Sequence, residues 1–135
     1  MAALDSLKIY KQLFDKLPVA IFVADIDTGN IVDANDKACK LINRPYNEVI
    51  SLHQSNLHPK IAEEETTKNF KKHIEALQNG EDVSDVENIV IDSNNNKIPV
   101  EISPTLVEVD GKTLIIGMFK DLRKRKHRES LLSYY

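Results

Sequence analysis

One segment near the end of the sequence, residues 114–119, is apolar at every position. A strand of this kind needs cover on both faces, because alternate side chains point to opposite sides of a sheet. The segment closes a run of three strand-like segments that begins at Val86 and is interrupted by turn residues at 93–96 and 110–111. A sheet covered on both faces is therefore the main constraint on the fold.

The order of the other segments predicts an α+β fold. An amphipathic helix over residues 1–17 ends before Pro18, and two short strands follow around a polar turn at 25–30. Asn35 can cap the next short helix, and a long helix is predicted over residues 60–78. With the closing strands, this order predicts a five-stranded antiparallel sheet with helices on one face. The N-terminal helix is expected on the other face or at a dimer interface.

The composition is that of an ordinary globular domain. The chain has 135 residues, the length of one domain, and a net charge of −3. No excess of positive charge is available for nucleic acid or anionic lipid, and no apolar run reaches the roughly 20 residues of a membrane helix. The single cysteine, Cys39, can form no internal disulfide. We expect a cytoplasmic domain that contacts neither nucleic acid nor the membrane directly. This expectation is compatible with a membrane anchor elsewhere in a longer parent protein.

Four strings of residues, taken in order, resemble the PAS (Per-Arnt-Sim) sensory family, in its PAS/PAC S-box type from bacterial and archaeal signalling proteins. The strings are LPVAIFVAD at 17–25, IVDANDKA at 31–38, LHP at 57–59, and KIPVEIS at 97–103 followed by FKDLRKRK at 119–126. The last is similar to the family's Asp-Ile-Thr-Glu-Arg-Lys signature, with Arg123 in place of the threonine. The resemblance implies a PAS fold over 18–122 and the start of a C-terminal output or linker helix at 123–135.

The function implied by the resemblance is that of a sensor. The family's modules bind a small ligand or a partner and relay the signal through the C-terminal helix, and the implied output is a histidine kinase or a diguanylate cyclase. The domain itself is expected to be non-catalytic, since the sequence holds no nucleophile elbow or phosphate-binding loop. Two alternatives stay open: a ligand-free dimerisation or protein-interaction domain, and a haem-binding gas or redox sensor.

Strand alternation and the apolar stripe of the long helix predict a small, mostly aliphatic pocket. The residues assigned to ligand binding are Ile21, Val23, Phe70, His73, Ile74, Ile89, Ile91, Val100, Ile102 and Met118. Asp121 and Arg123 are assigned to signal coupling. The carboxylate of Asp121 can accept hydrogen bonds from backbone N–H groups in the first turn of the following helix. Its negative charge is also stabilised by the positive end of the helix dipole.

No metal or cofactor is expected, and an unidentified small ligand is left open. Some PAS domains bind haem through a histidine on the long helix, but His73 lies about a turn too late for that role. Flavin-binding members carry a cysteine after the short helices, whereas Cys39 lies earlier. A homodimer through the N-terminal helix is the expected assembly, because the apolar stripe of that helix needs cover. The stripe consists of Leu4, Leu7, Leu13, Phe14 and Leu17.

Overall fold

A computed structural model describes residues 2–84 and 86–132 of the chain. The order of elements is α1 (Ala2–Lys16), β1 (Ala20–Asp25), β2 (Ile31–Ala34), α2 (Asp36–Leu41), α3 (Tyr46–Val49), α4 (Glu63–Gln78), β3 (Val86–Ile91), β4 (Lys97–Val109), β5 (Lys112–Asp121) and α5 (Arg123–Leu132). Two short 3-10 helices, Gln54–Leu57 and Lys60–Ala62, connect α3 to α4. The last three residues of the predicted tail, 133–135, lie outside the described part of the chain.

The five strands form one antiparallel sheet in the order β2-β1-β5-β4-β3. The prediction of an α+β fold with a five-stranded antiparallel sheet is therefore confirmed. The apolar segment 114–119 lies in β5, which is the central strand and pairs with β1 on one side and β4 on the other. Its inner face is buried at Ile115, Gly117 and Phe119, whereas the outer face is only partly buried at Leu114 and Ile116 and exposed at Met118 in the single chain.

The turn between β4 and β5 and the residue after α2 both adopt a left-handed backbone. The tight turn between β4 and β5 has positive φ at both central residues, 51° at Asp110 and 78° at Gly111, which matches the right-handed twist of the strands it joins. Asn43, just after α2, has φ of 52°. Asparagine and aspartate adopt this conformation at lower cost than other residues with a Cβ atom.

The core lies between the inner face of the sheet and the helices α2, α3 and α4. Phe22 of β1 and Phe119 of β5 meet edge to face at its centre, with ring centroids 4.9 Å apart. The other buried apolar residues of this main cluster are Ala20, Ile31, Ala34, Ala38, Leu41, Ile42, Val49, Leu57, Val90, Ile98 and Val100. A smaller cluster under α4 contains Ala24, Ile74 and Ile115.

Helix α1 packs against α2 and leaves most of its apolar stripe exposed in the single chain. Leu7 is 66% exposed and Leu13 is 58% exposed, whereas Phe14 is half-buried. The side chain of Leu4 lies outside the described part. Met118, on the outer face of β5, is 43% exposed, so α1 does not cover the sheet at this point within one chain. Among the described residues, no helix has the length and apolar character needed to cross a membrane.

Candidate functional site

A cavity of about 80 Å³ lies between the inner face of the sheet, helix α4 and the first 3-10 helix. Its walls are mainly apolar. The apolar lining residues are Phe22, Ala24, Ile31, Leu57, Phe70, Ile102, Pro104, Ile115, Gly117 and Phe119. The polar lining residues are Gln54, His58, Thr66, Asn69, His73 and Asn88. An apolar pocket with a few polar groups is the usual form of a small-molecule site.

The structure brings three of the predicted pocket residues together at this cavity: Phe70, His73 and Ile102. Two others lie close by without lining it. Ile74 packs in the small cluster under α4, and Val100 is fully buried in the main core. Of the predicted residues on the long helix, Phe70 and His73 face the cavity and Ile74 does not line it.

The other five predicted pocket residues, Ile21, Val23, Ile89, Ile91 and Met118, do not line the cavity, because the assigned face was wrong for β1, β3 and β5. Residues on the opposite face of the same strands line it instead: Phe22, Ala24, Asn88, Ile115, Gly117 and Phe119. Directly paired residues share a face, and Ile102 pairs with Phe119, so Ile102 and Met118 cannot both face the cavity. Both β1 and β5 are apolar on the two faces, and alternation alone therefore could not identify the inner one.

Gln54 is a buried polar residue of the cavity that no sequence pattern indicated. It is 7% exposed, and its Nε2 atom has no hydrogen-bond partner among the described residues. Its backbone is held firmly, because Gln54 N donates to Gly29 O over 2.8 Å. Gly29 has φ of 76°, and a Cβ atom there would lie 2.4 Å from His53 Nε2. Only glycine fits this contact without displacement of the His53 ring.

His58 lines the cavity beside the same 3-10 helix and is 6% exposed. Its Nδ1 atom lies 2.7 Å from the carbonyl oxygen of Ile89, so Nδ1–H is the donor of this bond. Burial lowers the pKa of His58, and the bond to Ile89 offsets this only in part. The neutral ring with its proton on Nδ1 is therefore favoured near neutral pH. The string at 57–59 indicated this segment, but not that His58 points inward.

The size of the cavity limits what it can hold. An engineered protein cavity of about 150 Å³ accommodates benzene, so a cavity of 80 Å³ accommodates only a few heavy atoms without movement of its walls. His73 is half-buried in the lining, and burial lowers its pKa. Cys39 is half-buried against the main core, away from the cavity, and burial raises its pKa. Residues 2–84 and 86–132 hold no cluster of His, Cys, Asp or Glu suited to a metal ion.

The two residues assigned to signal coupling meet at the start of α5. Asp121 Oδ1 accepts a hydrogen bond of 2.9 Å from the backbone N–H of Arg123, and Arg123 Nη2 donates to Asp121 Oδ2 over 2.6 Å. Burial opposes ionisation of Asp121, but the bonds from the Arg123 side chain and backbone together lower its pKa. Arg123, which stands in place of the family's threonine, thus contacts Asp121 through both its backbone and its side chain.

A second contact, which no sequence pattern indicated, holds α5 against the sheet. Arg125 Nη2 donates to Glu87 Oε1 of β3 over 2.6 Å, and Lys126 Nζ lies 3.2 Å from Glu87 Oε2. Arg125 also approaches Glu101 of β4, with 3.7 Å between the nearest charged atoms. The hydrogen bond from Lys126, and then that from Arg125, lower the pKa of Glu87. The carboxylates therefore hold α5 beside strands that line the cavity.

One curated protein is similar to nearly all of this chain. Among curated proteins, the sensor protein TdiS of Thauera aromatica is 25% identical over 126 residues, which cover 90% of this chain and 22% of TdiS. This chain thus spans about a fifth of the length of that relative. Most of TdiS has no counterpart in the present sequence.

Two solved structures illustrate the similarity of fold. A domain of a sensory box sensor histidine kinase/response regulator from Geobacter sulfurreducens has a TM-score of 0.67 and 24% identity, covering 86% of this chain and 94% of that one. The second structure is the PAS domain of a LuxR-family transcriptional regulator from Burkholderia thailandensis, solved in complex with ethanol. It has a TM-score of 0.67 and 16% identity, and the match covers 84% of this chain and 96% of that one. A family model described as PAS domain matches residues 18–124, which is most of the sequence. The chain belongs to the PAS domain family.

Proposed function

We propose that this domain senses a small, mostly apolar molecule in the cavity and relays occupancy through α5 to an output domain. PAS domains are sensory modules typical of signalling proteins. The observation that carries the proposal is the cavity itself, apolar over most of its wall and interrupted by a few polar side chains. The Burkholderia domain was solved with ethanol, a ligand of similar scale.

The output that we propose is a histidine kinase or a diguanylate cyclase. The Geobacter domain comes from a protein named as a sensor histidine kinase/response regulator. A helix that leaves the sheet at β5, as α5 does, provides a mechanical connection to such a domain.

The strands that line the cavity are the same strands that hold α5. On β3, Asn88 faces the cavity and the preceding residue, Glu87, binds Arg125 and Lys126. On β4, Ile102 lines the cavity and Glu101 approaches Arg125. Because successive side chains point to opposite faces, a shift of either strand on ligand binding moves the carboxylates that position α5.

Mass and absorption spectra of the purified protein test this function. In a native mass spectrum we expect a small, fixed mass excess that is lost on denaturation. In the visible absorption spectrum we expect no haem or flavin band, since the cavity is too small for either group. A protein with no mass excess that also fails to bind added small molecules would have a filled core and no sensory pocket.

We expect Asp121→Ala to loosen α5 without unfolding the domain. The substitution removes the acceptor of the Arg123 N–H and its ion pair, at a cost of about 0.5–2 kcal/mol. In an amide hydrogen-exchange experiment, residues 123–130 should exchange faster while 98–119 stay protected. Unchanged exchange over the helix would show that Asp121 does not hold it.

Glu87→Gln is the companion variant, and Glu108→Gln is its matched control, since Glu108 is an exposed glutamate on β4 with no ion pair among the described residues. Of these two variants, only Glu87→Gln should speed amide exchange in α5.

The contribution of Glu87 to the stability of this contact should also depend on pH. Because the pKa of Glu87 is lowered in the folded protein, its contribution is present above the ordinary glutamate pKa and is lost as the pH falls through the lowered value.

A second candidate function, dimerisation, is favoured by the exposed face of α1. Leu7, Tyr10 and Leu13 are spaced at helical intervals and are 66%, 70% and 58% exposed in the single chain. We propose that a second copy of this chain covers them. At about 25 cal/mol per Å² of apolar area, burial of this surface contributes several kcal/mol to association.

Deletion of residues 1–15 should therefore weaken self-association, because it removes the exposed apolar stripe. Sedimentation equilibrium of the full chain and the truncated chain measures the effect. Leu132→Ser is a suitable control, since Leu132 is 72% exposed at the other end of the chain. A truncated chain that dimerises as strongly as the full one would place the interface elsewhere.

A further inference from the structure

We infer that the ligand is a small neutral molecule with a hydroxyl or carboxamide group, bound by the Gln54 amide and the His58 ring. This inference depends on the proposed sensory cavity and adds to it the chemical class of the ligand. Three features of the cavity carry it: an unpartnered buried amide, a histidine with one free ring nitrogen, and a lining without full charges.

The first feature is the Gln54 side chain. It lies in the cavity wall, it is 7% exposed, and its Nε2 atom is buried without a hydrogen-bond partner among the described residues. A buried donor without a partner is costly, and native proteins rarely leave one unless a ligand or water completes it. The bond from Gln54 N to Gly29 O fixes the backbone of this residue beside the cavity. A ligand with an acceptor oxygen removes this cost.

The second feature is the neutral His58 ring. Its Nδ1–H donates to Ile89 O, so the unprotonated Nε2 can act only as an acceptor. No described residue donates to this Nε2. A ligand that satisfies both side chains must therefore accept a hydrogen bond from Gln54 and donate one to His58. Hydroxyl and carboxamide groups do both, whereas ethers and halides carry no donor.

The third feature is the absence of charge. None of the residues that line the cavity is Lys, Arg, Asp or Glu. Transfer of a carboxylate or an ammonium group into such a site would leave the charge without a counterion, which is far costlier than transfer of a neutral polar group. The cavity volume of about 80 Å³ restricts the apolar part to a few carbon atoms.

A panel of three-carbon probes tests the inference on the full chain. The probes are n-propanol, propanamide, propionate, propylamine and propyl chloride, each titrated at neutral pH. Proton–nitrogen correlation spectra report binding, and the side-chain NH₂ signal of Gln54 reports the contact directly; its loss in Gln54→Leu identifies it. We expect n-propanol and propanamide to bind and to shift this signal. Propionate and propylamine should bind at least about tenfold more weakly.

The variant Gln54→Leu should weaken n-propanol binding about tenfold and leave propyl chloride binding unchanged, since only the alcohol uses the amide. Gln78→Leu is the matched control, because Gln78 is an exposed glutamine at the end of α4. It should bind every probe as the wild type does. If Gln54→Leu does not fold, the ranking of the probes on the wild type and the shift of the NH₂ signal decide the question.

The possible failures are distinguishable. Tight binding of propionate or propylamine, or equal affinity of Gln54→Leu and wild type for n-propanol, would overturn the neutral hydrogen-bonding ligand and leave the sensory cavity intact. Failure of every probe to bind, propyl chloride included, would overturn both the inference and the proposed cavity function.

Discussion

Asn35→Ala should lower the free energy of unfolding by about 3–5 kcal/mol, the largest stability effect that we expect from substitution of a single polar residue in this chain. Asn35 is fully buried and joins three segments. Its Oδ1 atom accepts from Ile21 N and Ala38 N over 2.9 and 3.1 Å, and its Nδ2 donates to Val19 O over 2.8 Å. Alanine leaves all three of these backbone groups unpaired.

Chemical denaturation measures this effect. The midpoint should fall while the dependence on denaturant concentration stays the same, because the folded state buries the same surface. Asn94→Ala is the matched control, since Asn94 is exposed in a turn, and it should change stability by no more than about 0.5 kcal/mol. A loss below about 1 kcal/mol for Asn35→Ala would show that water or local relaxation replaces these bonds.

Ala24→Leu should abolish ligand binding, with a loss of affinity of at least about 100-fold for n-propanol. Ala24 is 5% exposed, lines the cavity and packs against Ile74 and Ile115. The three added carbons occupy the space that the ligand needs, within a cavity of only about 80 Å³. The mass excess of the purified protein should also disappear.

The fold should survive this change, because overpacking a core usually costs about 1–3 kcal/mol and the cavity can take part of the added volume. Met118→Phe is the control. It adds bulk to the sheet as well, but on the outer face, where Met118 is 43% exposed. Retained ligand binding in Ala24→Leu, with a spectrum of normal dispersion, would place the ligand outside this cavity.

Many elements of the fold could be predicted from the sequence, because they depend on local chemistry. Asn35 was predicted to cap a helix, and its side chain accepts a hydrogen bond from the N–H of Ala38. The turn at 110–111 needs two residues that tolerate positive φ, and Asp-Gly is such a pair. The apolar run in β5 predicted a strand, and β5 is the central strand of the sheet, but the single chain covers only one of its two faces fully.

The candidate site was predicted only in part. The stripe of α4 is apolar on one side, so Phe70 and His73 could be assigned to the cavity. The strands offered no such contrast. Ile21 and Phe22 are both apolar, as are Met118 and Phe119, and a choice of face then depends on which helices cover which side. The alternation of residues along a strand does not show which face of the sheet the helices cover.

The sequence by itself determined the order of elements, the turns, the helix cap and the class of sheet, because residues a few positions apart create each of these. Only the tertiary structure decided which face of the sheet encloses the cavity and that Gln54 and His58 both line it. It alone also paired Glu87 with Arg125, 38 positions further along the chain. Such contacts depend on strand register and on the packing of helices against one face, and no local pattern encodes the distance between residues so far apart in sequence.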